Sequence, residues 1–239
     1  MKKFLLPALL ALLALGCGGD STPLGTGARH SGIYSGTYTD SRGRLVTLQT
    51  EQIHRGNVLT GVARIQVGDE MYHASLRGTT NGEAHSWTGV LPGDQGRLAV
   101  RVAADGSAQV EAEGELSSGM GSMAKTGAAT TDDLSGTYTI TWNAQGFSDN
   151  FTVEITNVSG VDTLPNIYVK LPDNGGFVAS GTVVGNTVAL TYFSGAGANG
   201  FLAKLSPTAI GQTGNASFEL IAPGGGKFTG TWTITPGGS

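Results

Sequence analysis

Ser135-Gly136-Thr137-Tyr138-Thr139-Ile140-Thr141-Trp142 sets the period on which the chain is built. Leu134, Gly136, Tyr138, Ile140 and Trp142 fall on one side of an extended ribbon, and Ser135, Thr137, Thr139 and Thr141 on the other. Such alternation marks a half-buried antiparallel strand. Threonine suits the wet side, because its β-branch fits a pleated backbone and its hydroxyl meets water. The motif occurs 100 residues earlier as Ser35-Gly36-Thr37-Tyr38-Thr39, and a relative, Thr229-Gly230-Thr231-Trp232-Thr233, closes the chain. Self-similarity at domain length means two copies of one unit rather than a short-period solenoid.

The same period runs outward from these motifs. Leu59, Gly61, Ala63, Ile65 and Val67 alternate with Thr60, Val62, Arg64 and Gln66; Leu98, Val100 and Val102 alternate with Arg97, Ala99 and Arg101. Turn chemistry punctuates the strands at Asp40-Ser41-Arg42-Gly43, Arg55-Gly56-Asn57, Asn81-Gly82, Asp105-Gly106, Gly185-Asn186 and Gly224-Gly225-Gly226. Asn-Gly and Asp-Gly supply the positive φ that tight hairpins need. Seven strands are predicted in a first unit and eight in a second, with no helix beyond the leader. A meander of that length must curl, since a flat sheet would leave an apolar face and two edges exposed. The expected fold is therefore all-β: two tandem antiparallel meander β-barrels, with a pair of β-sandwiches as the alternative. Gly36, Gly61, Gly136 and Gly230 are read as mid-strand residues of the buried face, where glycine marks a bend or a close backbone approach.

Composition agrees. The chain has 239 residues, 39 of them glycine, and 13% are charged, against about a quarter in an ordinary soluble domain. Glycine and threonine are poor helix formers, which excludes a coiled coil or helical bundle. The glycines lack the period of three that collagen requires. With 14 basic and 18 acidic residues the formal charge is −4, and no clustered basic face points to a nucleic acid.

The first residues read as an address. Lys2 and Lys3 precede an almost wholly apolar stretch from Phe4 to Leu15, broken by Pro7. Twelve helical residues rise about 18 Å, too short for a hydrocarbon core of roughly 30 Å, so the pattern matches an export signal over residues 1–16. Cys17 is the single cysteine and follows Leu13-Ala14-Leu15-Gly16. This stretch resembles the lipobox of bacterial lipoproteins. The resemblance implies that Cys17 carries diacylglycerol and an N-terminal acyl chain such as palmitate, that the leader is cut before it, and that the membrane is a partner through this anchor. Removing Lys2 and Lys3 leaves a net charge of −6, so acyl chains rather than anionic lipids would hold the protein. In that family an Asp after the Cys commonly signals inner-membrane retention. Gly18 here implies the outer membrane of the bacterial cell envelope. Residues 17–29 read as a flexible tether, followed by a first β-domain at 30–117, a linker at 118–133 and a second β-domain at 134–236.

The Gly-Thr-Tyr and Gly-Thr-Trp strands resemble small secreted β-meander domains of bacterial lipoproteins and, more loosely, the avidin and lipocalin barrels. Avidin-like proteins line a biotin site with tryptophans. Trp87, Trp142 and Trp232 are spread over two units here, so biotin is not carried over.

No constellation for catalysis stands out. His30, His54, His73 and His85 all lie in the first unit without the close spacing a metal site uses, and they read as scattered surface residues, with His73 on the solvent side. Glu111, Glu113 and Glu115 form an acidic row opposite Arg97 and Arg101, which reads as cross-strand charge pairing. Gly195-Ala196-Gly197 precedes no helix and so is no phosphate cradle. Val178, Phe193 and Phe201 are read as exposed apolar residues. The expectation is a non-enzymatic, lipid-anchored binding or structural module with no cofactor and no metal, meeting a protein, glycan or small apolar ligand. Two alternatives are a lipocalin-like carrier of a small apolar ligand and an envelope enzyme.

Overall fold

The computed structural model describes residues 29–91, 96–129, 134–144, 146–156, 166–170, 176–194, 201–213 and 216–237. The leader, Cys17, the tether up to residue 28 and the Gly195–Gly197 stretch lie outside them, as do the side chains of Val178, Phe193 and Phe201.

Each unit is a closed barrel of eight antiparallel strands, every strand paired with its chain neighbours and the last with the first. The first comprises β1 (Gly32–Asp40), β2 (Leu45–Arg55), β3 (Val58–Val67), β4 (Glu70–Asn81), β5 (Ala84–Val90), β6 (Gly96–Val102), β7 (Ser107–Gly114) and β8 (Gly119–Gly127). The second comprises β9 (Gly136–Ala144), β10 (Phe147–Thr156), β11 (Asn166–Lys170), β12 (Gly176–Val184), β13 (Thr187–Ser194), β14 (Phe201–Ala209), β15 (Ala216–Ile221) and β16 (Lys227–Pro236). The predicted architecture is present, as barrels rather than sandwiches.

The stretch 118–133, read from sequence as a linker, instead contains β8, the strand that closes the first barrel. Its residues are small because its neighbour is close. A Cβ on Gly121 would lie 1.9 Å from the Thr37 carbonyl oxygen, and one on Gly36 would lie 2.0 Å from that of Ser122. The two glycines thus let β1 and β8 meet at the seam. The second barrel solves the same problem at its own seam, where a Cβ on Gly230 would lie 2.0 Å from the Asn143 oxygen. Gly61 also sits against its neighbour, with the Glu51 oxygen 2.0 Å from such a Cβ. Gly136 does not: it begins β9, and a Cβ there would meet only the Tyr138 ring at 3.8 Å.

Inward residues fill the first barrel. Tyr38, Val46, Leu48, Ile65, Leu76, Trp87, Leu98 and Val100 form one buried cluster with Leu91, Leu116 and Met123. In the second barrel Ile140, Val153, Ile155, Leu190, Trp232 and Ile234 do the same, and the Trp232 indole donates to the Ser206 carbonyl at 3.0 Å. Trp142 meets the Phe218 ring edge-on at 5.4 Å. At the turn after β1, Asp40 Oδ1 accepts the backbone N–H groups of Arg42 and Arg44, and Oδ2 accepts the Arg44 guanidinium. This is the local reason Asp starts that turn.

The barrels pack side by side through strand faces that alternation alone marks as wet. Arg64 points outward from β3 yet is 4% exposed. Its guanidinium donates to Thr182 Oγ1, to the Thr182 and Thr187 carbonyls and to Gln49 Oε1, at 2.8–3.0 Å. The Thr182 hydroxyl lies 3.0 Å from His73 Nδ1, so it accepts from Arg64 and donates to a neutral imidazole. Burial, then the Arg64 charge, push the His73 pKa down to about 3. Glu51 Oε2 accepts the Gly185 N–H at 2.7 Å, and Lys204 reaches Glu70 at 2.6 Å. Val62 and Val184, with Ile33 and Ile53 beside them, form the apolar centre of the contact.

Two outcomes follow from these contacts. Gly121→Ala should destabilise the first barrel by about 1–3 kcal/mol through forced overpacking, whereas Gly226→Ala, whose Cβ would meet nothing closer than Ala222 at 4.0 Å, should change little; chemical denaturation measures both. Arg64→Met should strip the inter-barrel acceptors of their donor at a cost of about 2–3 kcal/mol. Calorimetry should then show the two barrels melting separately, where the unaltered chain melts with coupled transitions.

Candidate functional site

One end of the first barrel gathers the chemistry. Residues 29–31 enter there, and β2, β4 and β6 end beside the starts of β3, β5 and β7. The inward phase of β2 runs Val46, Leu48, Thr50, Gln52 and His54, so the strand turns from apolar to polar as it approaches this end. On β5 the inward residues are His85, Trp87 and Gly89.

His30, His54 and His85 meet in the mouth. The His30 ring lies 5.3 Å from that of His54 and 5.0 Å from that of His85, and the Tyr34 ring lies 5.1 Å from His85. All three imidazoles are buried. His30 Nε2 donates to the Gly82 carbonyl at 2.9 Å, and His54 Nε2 lies 3.0 Å from Thr80 Oγ1. Gly82 holds its turn at φ +63°, which leaves its carbonyl turned to the mouth. Several buried atoms are left over. Gln52 Oε1, His85 Nε2 and Trp87 Nε1 have no hydrogen-bond partner among the described residues. His54 Nδ1 makes no well-formed bond, although the Gly56 backbone favours a proton on that ring.

Residues 29–31 lie across the mouth as a strap with three attachments. Arg29 pairs with Glu83 on the β4–β5 turn, His30 holds the Gly82 carbonyl, and Ser31 Oγ accepts the His54 backbone N–H at 2.8 Å. Burial lowers the His54 pKa, with His30 as the next cause. Burial, then His30 and His54, push His85 down to about 4. The Tyr34 phenol is raised by burial. The mouth thus favours the neutral form of His54 and His85.

Beside it lies an open cleft of about 360 Å³ between the β4–β5 and β6–β7 hairpins. Its lining is mostly apolar, with Val102, Ala108 and Met120 among its walls, and Thr80, Asn81, Arg101 and Gln109 set hydrogen-bonding groups into it.

The sequence reading of the histidines as scattered surface groups is corrected. All four are at most 6% exposed. Three converge because barrel register brings the starts of β1 and β5 and the end of β2 to one rim. His73 does point outward, but the second barrel covers that face. Among the described residues no three of His, Cys, Asp and Glu are arranged to hold a metal ion, and ring nitrogens of His30 and His54 are already engaged with Gly82 and Thr80. Two of the three acidic residues, Glu111 and Glu113, face arginines of β6, and Glu115 follows the end of β7. Arg97 stands opposite Glu113, and Arg101 lies 4.0 Å from Glu111; at such exposure the ion pair adds little. The period of two carried the signal for the histidine end, since His54 follows Gln52 and Thr50 in phase and His85 precedes Trp87.

Compared with known protein families, curated proteins and solved structures, the chain matches none.

The strap contact is open to test. Ser31→Ala removes the acceptor of a buried N–H and should cost about 1–2 kcal/mol in chemical denaturation. Ser35→Ala, which loses only an exposed 3.3 Å contact to Thr126, should cost a few tenths at most.

Proposed function

We propose that this chain is a lipid-anchored lipoprotein of the bacterial cell envelope, a two-barrel module that binds rather than catalyses and hangs from acylated Cys17. The anchor rests on the lipobox-like Leu13–Cys17 stretch behind the short apolar leader. The binding role rests on one observation above others: the cleft beside His85 is open and sets hydrogen-bonding side chains in a mostly apolar lining, while the interior of the first barrel is filled by its own side chains.

That contrast favours the rim over the lumen as the place of recognition. Thr80, Asn81, Ser86, Arg101 and Gln109 offer donors and acceptors suited to a glycan or a polar peptide segment. An apolar cargo of the lipocalin kind would need the space that Leu48, Ile65, Leu76, Trp87 and Leu98 occupy.

Growth with a labelled fatty acid should label the protein and place it in the membrane fraction, and Cys17→Ser should abolish the label and release the protein into the soluble fraction. Membrane retention of Cys17→Ser would overturn the anchor. On a glycan and peptide panel, Arg101→Ala should weaken binding of any ligand found at least about tenfold, the loss expected for a charge-assisted hydrogen bond.

A further inference from the structure

We propose that His30, His54 and His85 form an acid-released latch, which holds the entering chain across the mouth of the first barrel at neutral pH and frees it when the imidazoles take up protons. The observation goes beyond the anchored binding role and does not depend on it.

The latch is geometric first. Three imidazoles sit with ring centres 5.0–5.3 Å apart around His30, and His30 belongs to the strap itself. Two of the strap's three attachments run through the cluster: His30 to the Gly82 carbonyl, and Ser31 to the His54 N–H. Protonating two neighbouring rings places like charges about 5 Å apart in a buried mouth, and both burial and mutual repulsion oppose that. Undocking His30 removes one member of the cluster and opens the other two to water, where each accepts its proton freely. Protons taken from solvent thus drive release, and loss of the same protons drives redocking.

The surrounding charges do not neutralise the cluster. The Arg29–Glu83 pair spans the mouth from outside. Tyr34 on β1 stays protonated. Arg55 ends β2, Arg101 on β6 borders the cleft, Asp105 lies on the β6–β7 turn, and the Lys125 side chain of β8 lies against Gly32. The inter-barrel His73, held to about 3, titrates below the latch.

The sign is fixed by the direction of the shifts. A histidine held below its ordinary 6.5 favours the docked state above that value and loses this contribution as pH falls toward the docked value. For His85, displaced from 6.5 to about 4, the docking constant falls on the order of 100-fold between pH 7 and pH 4.5; His54 adds in the same direction. Two consequences reach the function proposed above. Release frees residues 29–31 from the rim, and it uncovers the His85 side of the cleft.

The test is hydrogen exchange on the full chain in detergent, corrected for intrinsic pH dependence. The His54 N–H, bonded to Ser31 Oγ, reports docking directly. From pH 7 to 4.5, amides of residues 29–34 and of His54 should lose protection on the order of 100-fold, while those of β6 and β7 stay protected. His54→Gln/His85→Gln should reduce the response below about fivefold, and Glu83→Gln should keep it. Protection unchanged at pH 4.5, protection lost together with the whole barrel, or an equal response in the histidine double variant would each overturn the latch. Imidazole carbon shifts of the unaltered chain test it without any variant. Ring titration of His54 and His85 should coincide with strap release, and titration with the strap still docked would overturn the proposal.

Discussion

The structure depends on two backbones coming closer than any side chain would allow. Where β8 returns to β1, Gly36 and Gly121 each face a carbonyl oxygen of the opposite strand at a distance that forbids a Cβ. Gly230 does the same where β16 returns to β9. Closure removes the two edges that an eight-stranded meander would otherwise present. It also encloses the apolar row of every strand, so Trp87 and Trp232 become the hubs of two dry interiors. Strong strand twist alone would curl such a sheet; the glycines let its ends meet.

Closure also creates the functional end. In an open sheet β1 and β5 would lie far apart, and His30 and His85 would have nothing in common. In the barrel their starts share one rim, so groups distant in sequence are forced into a single buried cluster. A dry lumen below and an entering chain above leave the imidazoles little water, and burial rather than a neighbouring carboxylate is the leading cause of the depressed pKa values of His54 and His85. The outer wall meets the second barrel through Arg64, whose pKa burial lowers to about 10, so it remains charged at neutral pH. Satisfying that cation takes two carbonyls, of Thr182 on β12 and Thr187 on β13, and the Thr182 hydroxyl, as well as Gln49. Replacing any of those groups would leave a buried charge short of acceptors, which ties the relative position of the barrels to one side chain.

Much of the fold is legible in alternation and turn chemistry. Asp40, Gly56, Gly82, Gly106 and Gly185 fall at the hairpins that separate real strands, and the inward phase of β3 and β9 is the apolar phase. Strand β8 is hidden, because Gly119, Gly121 and Ser122 carry no apolar stripe: the position demands small residues, and small residues imitate a linker. His73 shows a different limit. Its strand phase is readable, but the wall that buries it belongs to another barrel and leaves no trace in local pattern. The histidine end stands between these cases. His54 and His85 hold inward phase by simple counting of twos, yet their meeting depends on which strands share a rim, and that is a property of closure.

Closure is therefore the claim to measure. In a Cys17→Ser background, paired cysteines at Ser35 and Ala124 bridge β1 to β8, and a second pair at Thr139 and Thr235 bridges β9 to β16; both pairs stand directly opposite in register and within the reach of a disulfide. Closed barrels require near-complete intramolecular bridging of each pair in the folded protein, with the β-type circular dichroism unchanged. Folded protein whose paired thiols stay free, or bridge only between molecules, would contradict the account.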